Sequence, residues 1–177
     1  GPKEFTTDRN GEIDLSKLPA TAMVVTEKSC PGYVIDDAQR IIQLQPNSTA
    51  QFVFTNHMQP SVHLIKRSAD GTPLAGVTYR LTKIEDGSRY LERATSSTGE
   101  ITWDGLKPGV YSLVEVSTLP THILDETEYH VELFPGKASE VVLTNDRRPN
   151  LTIHKTDADD SVTPVPDTVF VVKAADG

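Results

Sequence analysis

The 177 residues hold a single cysteine, Cys30. One thiol excludes an intrachain disulfide framework and any zinc site built on several cysteines. No catalytic cysteine motif surrounds it, so it reads as a lone thiol near a loop. Basic charge is also short: 17 Lys and Arg against 25 Asp and Glu leave a formal net charge of −8. That balance disfavours nucleic acid and anionic membrane surfaces as partners. No run approaches the ~18 apolar residues that a membrane-spanning helix needs, and no charged-then-apolar leader opens the chain. Aromatic residues make up 6% of the chain. Trp103 and the tyrosines are therefore expected in the core and at strand edges rather than on a sugar-stacking platform.

What is present is punctuation. The 12 Pro and 11 Gly divide the chain into short segments, and the hydrophobic fraction of 37% suffices for small cores. The length fits one or two domains. The opening Gly1-Pro2 reads as a protease-cleavage scar, which makes the chain an excised piece of a longer protein.

The segments repeat. Thr7-Asp8-Arg9-Asn10-Gly11-Glu12-Ile13 returns as Thr95-Ser96-Ser97-Thr98-Gly99-Glu100-Ile101, and Met23-Val24-Val25-Thr26-Glu27 returns in Ser112-Leu113-Val114-Glu115. Val53-Phe54-Thr55-Asn56 returns as Val142-Leu143-Thr144-Asn145, and Leu64-Ile65-Lys66 as Ile153-His154-Lys155. The spacing is one domain length. Residues 57–148 are read as one complete repeat, 1–56 as the back part of a preceding repeat, and 149–177 as the front part of the next. Pro60 and Pro149 stiffen the two joints and stop the preceding strands.

Within the complete repeat, 61–67, 77–83, 111–117, 129–134 and 140–144 are rich in Val, Leu, Ile, Tyr and Thr. Asp70-Gly71, Asp86-Gly87, Thr98-Gly99, Pro108-Gly109 and Pro135-Gly136 mark turns between them. No stretch carries an apolar stripe at helical spacing. The expected fold is all-β: an antiparallel, Ig-like Greek-key β-sandwich in tandem repeats.

Alternation along these strands singles out three polar residues. Lys66 continues the row of Val62 and Leu64, Glu115 that of Tyr111 and Leu113, and Asn145 that of Val141 and Leu143. The partial repeats copy the pattern in Glu27, Asn56 and Lys155. Burying a lone Lys, Glu or Asn costs several kcal/mol, so the three are expected to meet. One outcome is a Lys–Glu ion pair with an Asn hydrogen bond. The other is a covalent Lys–Asn amide. An apolar site favours the neutral, nucleophilic amine, and a protonated carboxyl can donate to the Asn carbonyl oxygen and carry protons as ammonia leaves. Residue types and spacing leave both open.

Here the chain resembles the collagen-adhesin B-type repeats, also called prealbumin-like or SpaA-type pilin domains, of Gram-positive surface proteins. Lys66-Arg67-Ser68-Ala69-Asp70-Gly71-Thr72-Pro73-Leu74-Ala75-Gly76-Val77 is similar to that family's first-strand signature. Leu106-Lys107-Pro108-Gly109-Val110-Tyr111-Ser112-Leu113-Val114-Glu115 is similar to its L-x-P-G-x-Y-x-x-x-E segment, and Val142-Leu143-Thr144-Asn145 to its closing strand. Gly32-Tyr33 resembles its usual G-Y loop, where the complete repeat has Thr121-His122 instead. The resemblance implies a Lys66–Asn145 isopeptide bond catalysed by Glu115. It also implies an extracellular, cell-wall-associated location and a stalk role in an adhesin or pilin-like protein, with neighbouring repeats as partners. The self-cross-link happens once, so no turnover enzyme is expected.

The partial repeats would together make about one domain. The tail is expected to complement a head, Lys155 joining Asn56 with Glu27 assisting, either between molecules and head to tail or by folding back within one chain, which the short joints make harder. A rival function is a repeat that binds a host protein or glycan, and another is a prealbumin-like hydrolase, for which no His-centred constellation is visible. Asp157, Asp159 and Asp160 lack the Gly and Glu of a calcium loop and read as a solvated turn. His57, His63, His122, His130 and His154 show no metal-ligand spacing. No metal or cofactor is expected.

Overall fold

The structure is a computed structural model that describes residues 1–87 and 90–175. Nine strands appear among these: β1 (Ala22–Val25), β2 (Arg40–Gln43), β3 (Ser61–Ser68), β4 (Thr78–Lys83), β5 (Tyr90–Ala94), β6 (Glu100–Trp103), β7 (Gly109–Ser117), β8 (Glu128–Leu133) and β9 (Ala138–Asn145). β6-β3-β9 form one sheet and β5-β4-β7-β8 a second, while β1 and β2 pair with each other. The prealbumin-like β-sandwich expected from the sequence is present in the two larger sheets.

Alternation builds the interface between those sheets. Val62 and Leu64 of β3 and Leu113 of β7 are fully buried, with Trp103 of β6 and Tyr79 and Leu81 of β4 beside them. Each such side chain removed from water contributes about 1.5–3 kcal/mol, which is what holds the two sheets face to face.

One expectation is corrected. The sandwich is not wholly antiparallel: β3 and β9, the first and last strands of the two-sheet body, pair in parallel, with Ser61 opposite Ala138 and Ser68 opposite Asn145. All other strand pairs are antiparallel. The chain therefore enters this body at one pole and leaves at the other. At the first pole Gly136 N donates to Met58 O at 2.7 Å; at the second, Arg148 N donates to Thr121 O at 2.9 Å.

The flanking residues are less ordered into sheets. Residues 51–57 and 149–155 carry no strand, although their sequences match β9 and β3. Their local hydrogen bonds nevertheless recur at equivalent positions. Asp8 N donates to Glu12 O as Ser96 N does to Glu100 O, and Val34 N to His57 O as Ile123 N does to Asp146 O. Val165 N donates to Lys155 O at 2.9 Å, as Leu74 N does to Lys66 O at 3.0 Å. The β1–β2 pairing of Val24 with Ile41 likewise parallels that of Ser112 with His130 in β7–β8.

Candidate functional site: a buried Lys–Glu–Asn cluster

The three polar residues lie where alternation places them. Lys66 is wholly buried, and Glu115 and Asn145 are 4% and 3% exposed. Lys66 and Asn145 sit on adjacent parallel strands, where Lys66 pairs with Leu143, two residues before Asn145. Diagonal neighbours on one face of a sheet are within reach of long side chains. Glu115 comes from β7 in the facing sheet.

The contacts form a closed triangle. Lys66 Nζ donates to Asn145 Oδ1 at 2.6 Å and lies 2.9 Å from Glu115 Oε2. Asn145 Nδ2 donates to Glu115 Oε1 at 2.6 Å. One carboxylate thus touches both nitrogens, one with each oxygen. This corrects the expected hydrogen bond from Glu115 to the Asn carbonyl oxygen: that oxygen faces the lysine, and the glutamate faces the amide nitrogen. The physical reason is charge complementarity, since the ammonium is the strongest donor in the pocket and the carboxylate the strongest acceptor.

Three further residues complete the site, and the sequence reading missed them. Tyr79 OH donates to Glu115 Oε2 at 2.7 Å, and its ring lies 5.5 Å from Lys66 Nζ. Burial pushes the Tyr79 hydroxyl well above its usual range, reinforced by the bond to Glu115, so it stays a donor. Tyr79 stands opposite Glu115 in the unbroken β4–β7 register that runs on through Leu81–Leu113 to Lys83–Tyr111; the register shifts only beyond it, at Thr78. Thr118 Oγ1 accepts from Asn145 Nδ2 at 2.9 Å. Asp125 presents its backbone N–H to Glu115 Oε1 at 3.5 Å and its carboxylate to Tyr129 OH at 2.8 Å. Burial acts to raise the Asp125 carboxyl, but hydrogen bonds from Thr127 and Tyr129 outweigh it and hold the group below its usual value. The inward row of Val77, Tyr79 and Leu81 was the available signal, but the partner of the Tyr79 hydroxyl depends on strand pairing.

Residues 60–147 match the family model of the SpaA prealbumin-like fold domain. This segment belongs to that family. Among solved structures, the chain is similar to the Bacillus anthracis TIE protein at 20% identity and a TM-score of 0.51, covering 80% of this chain and 28% of that one. It is also similar to GBS52, the minor pilin of Streptococcus agalactiae, at 20% identity and a TM-score of 0.47, covering 84% and 69% of the two chains. The full-length major pilin SpaD from Corynebacterium diphtheriae matches at 21% identity and a TM-score of 0.43, over 50% of this chain and 30% of that one. At these identities the likeness is one of fold. No curated protein sequence matches the chain. Among the described residues no helix is long and apolar enough to cross a membrane.

The other predicted site residues lie outside the sandwich, in two separate places. Asn56 Nδ2 donates to Glu27 Oε1 at 2.6 Å, the distance of its counterpart in the SpaA domain, and Asp36 N donates to Glu27 Oε2 at 2.9 Å. Lys155 is exposed and donates to the backbone oxygen of Thr156. The aspartates near it form a hydrogen-bonded turn in which Asp160 accepts from Val162 N and Thr163 N.

Proposed function

We propose that the SpaA domain is a load-bearing repeat in the stalk of a cell-surface adhesin or pilin-like protein, closed by an amide between Lys66 and Asn145. The family match and the pilins among the similar folds support the setting. The recurring hydrogen bonds on either side of the domain support a tandem array, with a repeat's back part in 1–56, a whole repeat in 57–148 and a front part in 149–177.

The observation that carries the reading is the buried triangle, in which nucleophile, electrophile and proton carrier are already in contact. Glu115 Oε2 takes a proton from Lys66 Nζ, leaving a neutral amine. Nζ attacks Cγ of Asn145, and the new C–N bond forms as the Cγ–Nδ2 bond breaks. Glu115 passes a proton to Nδ2 through Oε1, and ammonia departs. Two protons leave Nζ in all: one completes the ammonia and the other stays on the Glu115 carboxyl. An open pocket of about 270 Å³, lined in part by Asp125, Asn145 and Asp146, gives ammonia a way out. Contact between the reacting groups replaces a bimolecular encounter, which supplies much of the rate. The product holds no free amine and no side-chain amide, so the chemistry runs once and is not turnover catalysis.

The amide lies at the second pole and joins β3, which starts at the first pole, to the end of β9. Tension applied at Ser61 and Asn145 then passes through the six residues Ser61–Lys66 of β3 and the cross-link, and the remainder of the sandwich carries none. Intact mass under denaturing conditions tests this. The chain should be one ammonia lighter than its sequence. A full-mass chain would leave only an ion pair and remove the covalent load path.

A further inference from the structure

The loop between β7 and β8, residues 118–127, makes two contacts with the buried cluster. At its start Thr118 Oγ1 accepts from Asn145 Nδ2, the nitrogen that leaves in the amide chemistry. Near its end Asp125 N faces Glu115 Oε1. Loops are more mobile than the strands they join, so these two contacts hold their geometry only if the loop itself is fixed.

His122 stands at the middle of the loop and is 3% exposed. Its Nε2 shares a hydrogen bond with Ser68 Oγ at 3.2 Å, and its Nδ1 shares one with Thr121 Oγ1 at 3.0 Å. A hydroxyl can donate or accept, so the two satisfy the neutral ring whichever nitrogen carries the proton. A buried ring nitrogen left without a partner is costly, so these contacts hold the imidazole in one orientation.

The position of Ser68 gives the contact its meaning. Ser68 is buried, ends β3 and lies two residues after Lys66 on the same inward row. It also stands opposite Asn145 in the β3–β9 pairing. The His122 ring therefore ties the middle of the loop to the strand that carries the nucleophile, level with the residue that carries the electrophile. On the loop's other side Ile123 N donates to Asp146 O at 2.9 Å, next to Asn145 in the chain. Ile123, Leu124 and Asp125 also line the open pocket that reaches Asn145. Movement of the loop would pull Thr118 from the amide and widen that opening to water.

Resting on the amide chemistry proposed for the SpaA domain, we propose that His122 is a positioning residue for it. Through Ser68 it holds Thr118 against the leaving nitrogen and the Asp125 N–H toward Glu115, and it keeps the loop closed while the bond forms. It exchanges no proton with the reacting groups.

The test refolds the 177-residue chain, purified in denaturant at full mass. Fluorescence of Trp103, which is the one tryptophan and is buried, follows folding, and samples quenched at intervals are weighed intact. Wild type should lose one ammonia after it folds. His122→Leu fills the space but bonds neither hydroxyl, and Ser68→Ala removes the partner. Each should lose ammonia about 10–100-fold more slowly, because displacing a reacting group by roughly 1 Å costs up to that much. The double variant should be no slower than the slower single one, since both break the same contact. His122→Gln keeps an amide that can bond Ser68 and should recover most of the rate. Val131→Ala trims the core on β8 opposite Tyr111, away from the loop, and should keep the wild-type rate once folded. If His122→Leu does not regain Trp103 fluorescence, Ser68→Ala decides the matter. Wild-type rates in His122→Leu and Ser68→Ala would overturn the proposal and leave the cross-link standing. So would equal slowing by Val131→Ala, which would make the effect one of stability alone. A wild type that folds and stays at full mass would overturn both.

Discussion

Replacing Asn145 by Ala removes the electrophile and leaves the Lys66–Glu115 pair, 2.9 Å apart, in place. The cross-link would close a loop between residues 79 positions apart. For a loop of about 80 residues, the lost entropy of the unfolded chain corresponds to about 4–5 kcal/mol. The Asn145 hydrogen bonds add roughly 1 kcal/mol. In a domain of this size each kcal/mol moves the melting temperature by about 4–8 °C, so Asn145→Ala should melt roughly 20–40 °C below wild type. The comparison is made in a Lys155→Ala background, so that joining between molecules does not enter, and is followed by calorimetry with intact mass on the same samples. Glu115→Gln serves as the partner variant. It keeps nucleophile and electrophile but has no carboxylate to carry protons, so it should stay at full mass and melt near Asn145→Ala. If Asn145→Ala melts within about 5 °C of its parent, the loop-closure reasoning fails. If Glu115→Gln still loses ammonia, Glu115 is not the proton carrier.

Under force, the cross-linked domain should show no long extension in single-molecule pulling, whereas Asn145→Ala should release the roughly 270 Å of chain held between Lys66 and Asn145 at ~3.5 Å per residue. Tyr79→Phe in the Asn145→Ala background should lower stability by about 1–2 kcal/mol in urea melts, since Glu115 loses a buried donor. Because folding raises the Tyr79 hydroxyl above its free value of 10.0, the folded state holds that proton more tightly. The stabilisation is full below pH 10 and is lost as pH rises above it, so urea midpoints should fall more steeply beyond pH 10 for Tyr79 than for Phe. Gly99→Ala should cost several kcal/mol, since its Cβ would lie 2.4 Å from the Lys66 backbone oxygen. Gly11→Ala should cost about 1–2 kcal/mol from its positive φ alone, and thermal melts of the two variants distinguish these outcomes.

The site was legible because it violates a pattern. Val62, Leu64 and Lys66 form one face of a strand, and a charge at the end of an apolar row is a local fact that needs no partner to be noticed. The same holds for Glu115 after Leu113 and for Asn145 after Leu143. What alternation does not contain is which strands are neighbours. The parallel pairing of β3 with β9 is a long-range choice, and so is the β4–β7 register that sets Tyr79 against Glu115. The orientation of the Asn145 amide follows from which charged group sits on which side, so it too was misread from the chain. β5 and β6 went unnoticed because YLERA and EITW are short and the consecutive charges Glu92 and Arg93 break the alternation of β5.

The flanking segments separate propensity from structure. Phe52-Val53-Phe54-Thr55-Asn56 reads as a strand as well as Val141-Val142-Leu143-Thr144-Asn145 does, and only the second is one. Side chains that favour a pleated surface need a neighbouring backbone to pair with before they define a strand. Yet short-range features persist without strand pairing: the Glu27–Asn56 hydrogen bond and the turn at Gly11 need only residues of the 1–56 unit, and the Lys155–Val165 hairpin bond needs only its own few residues.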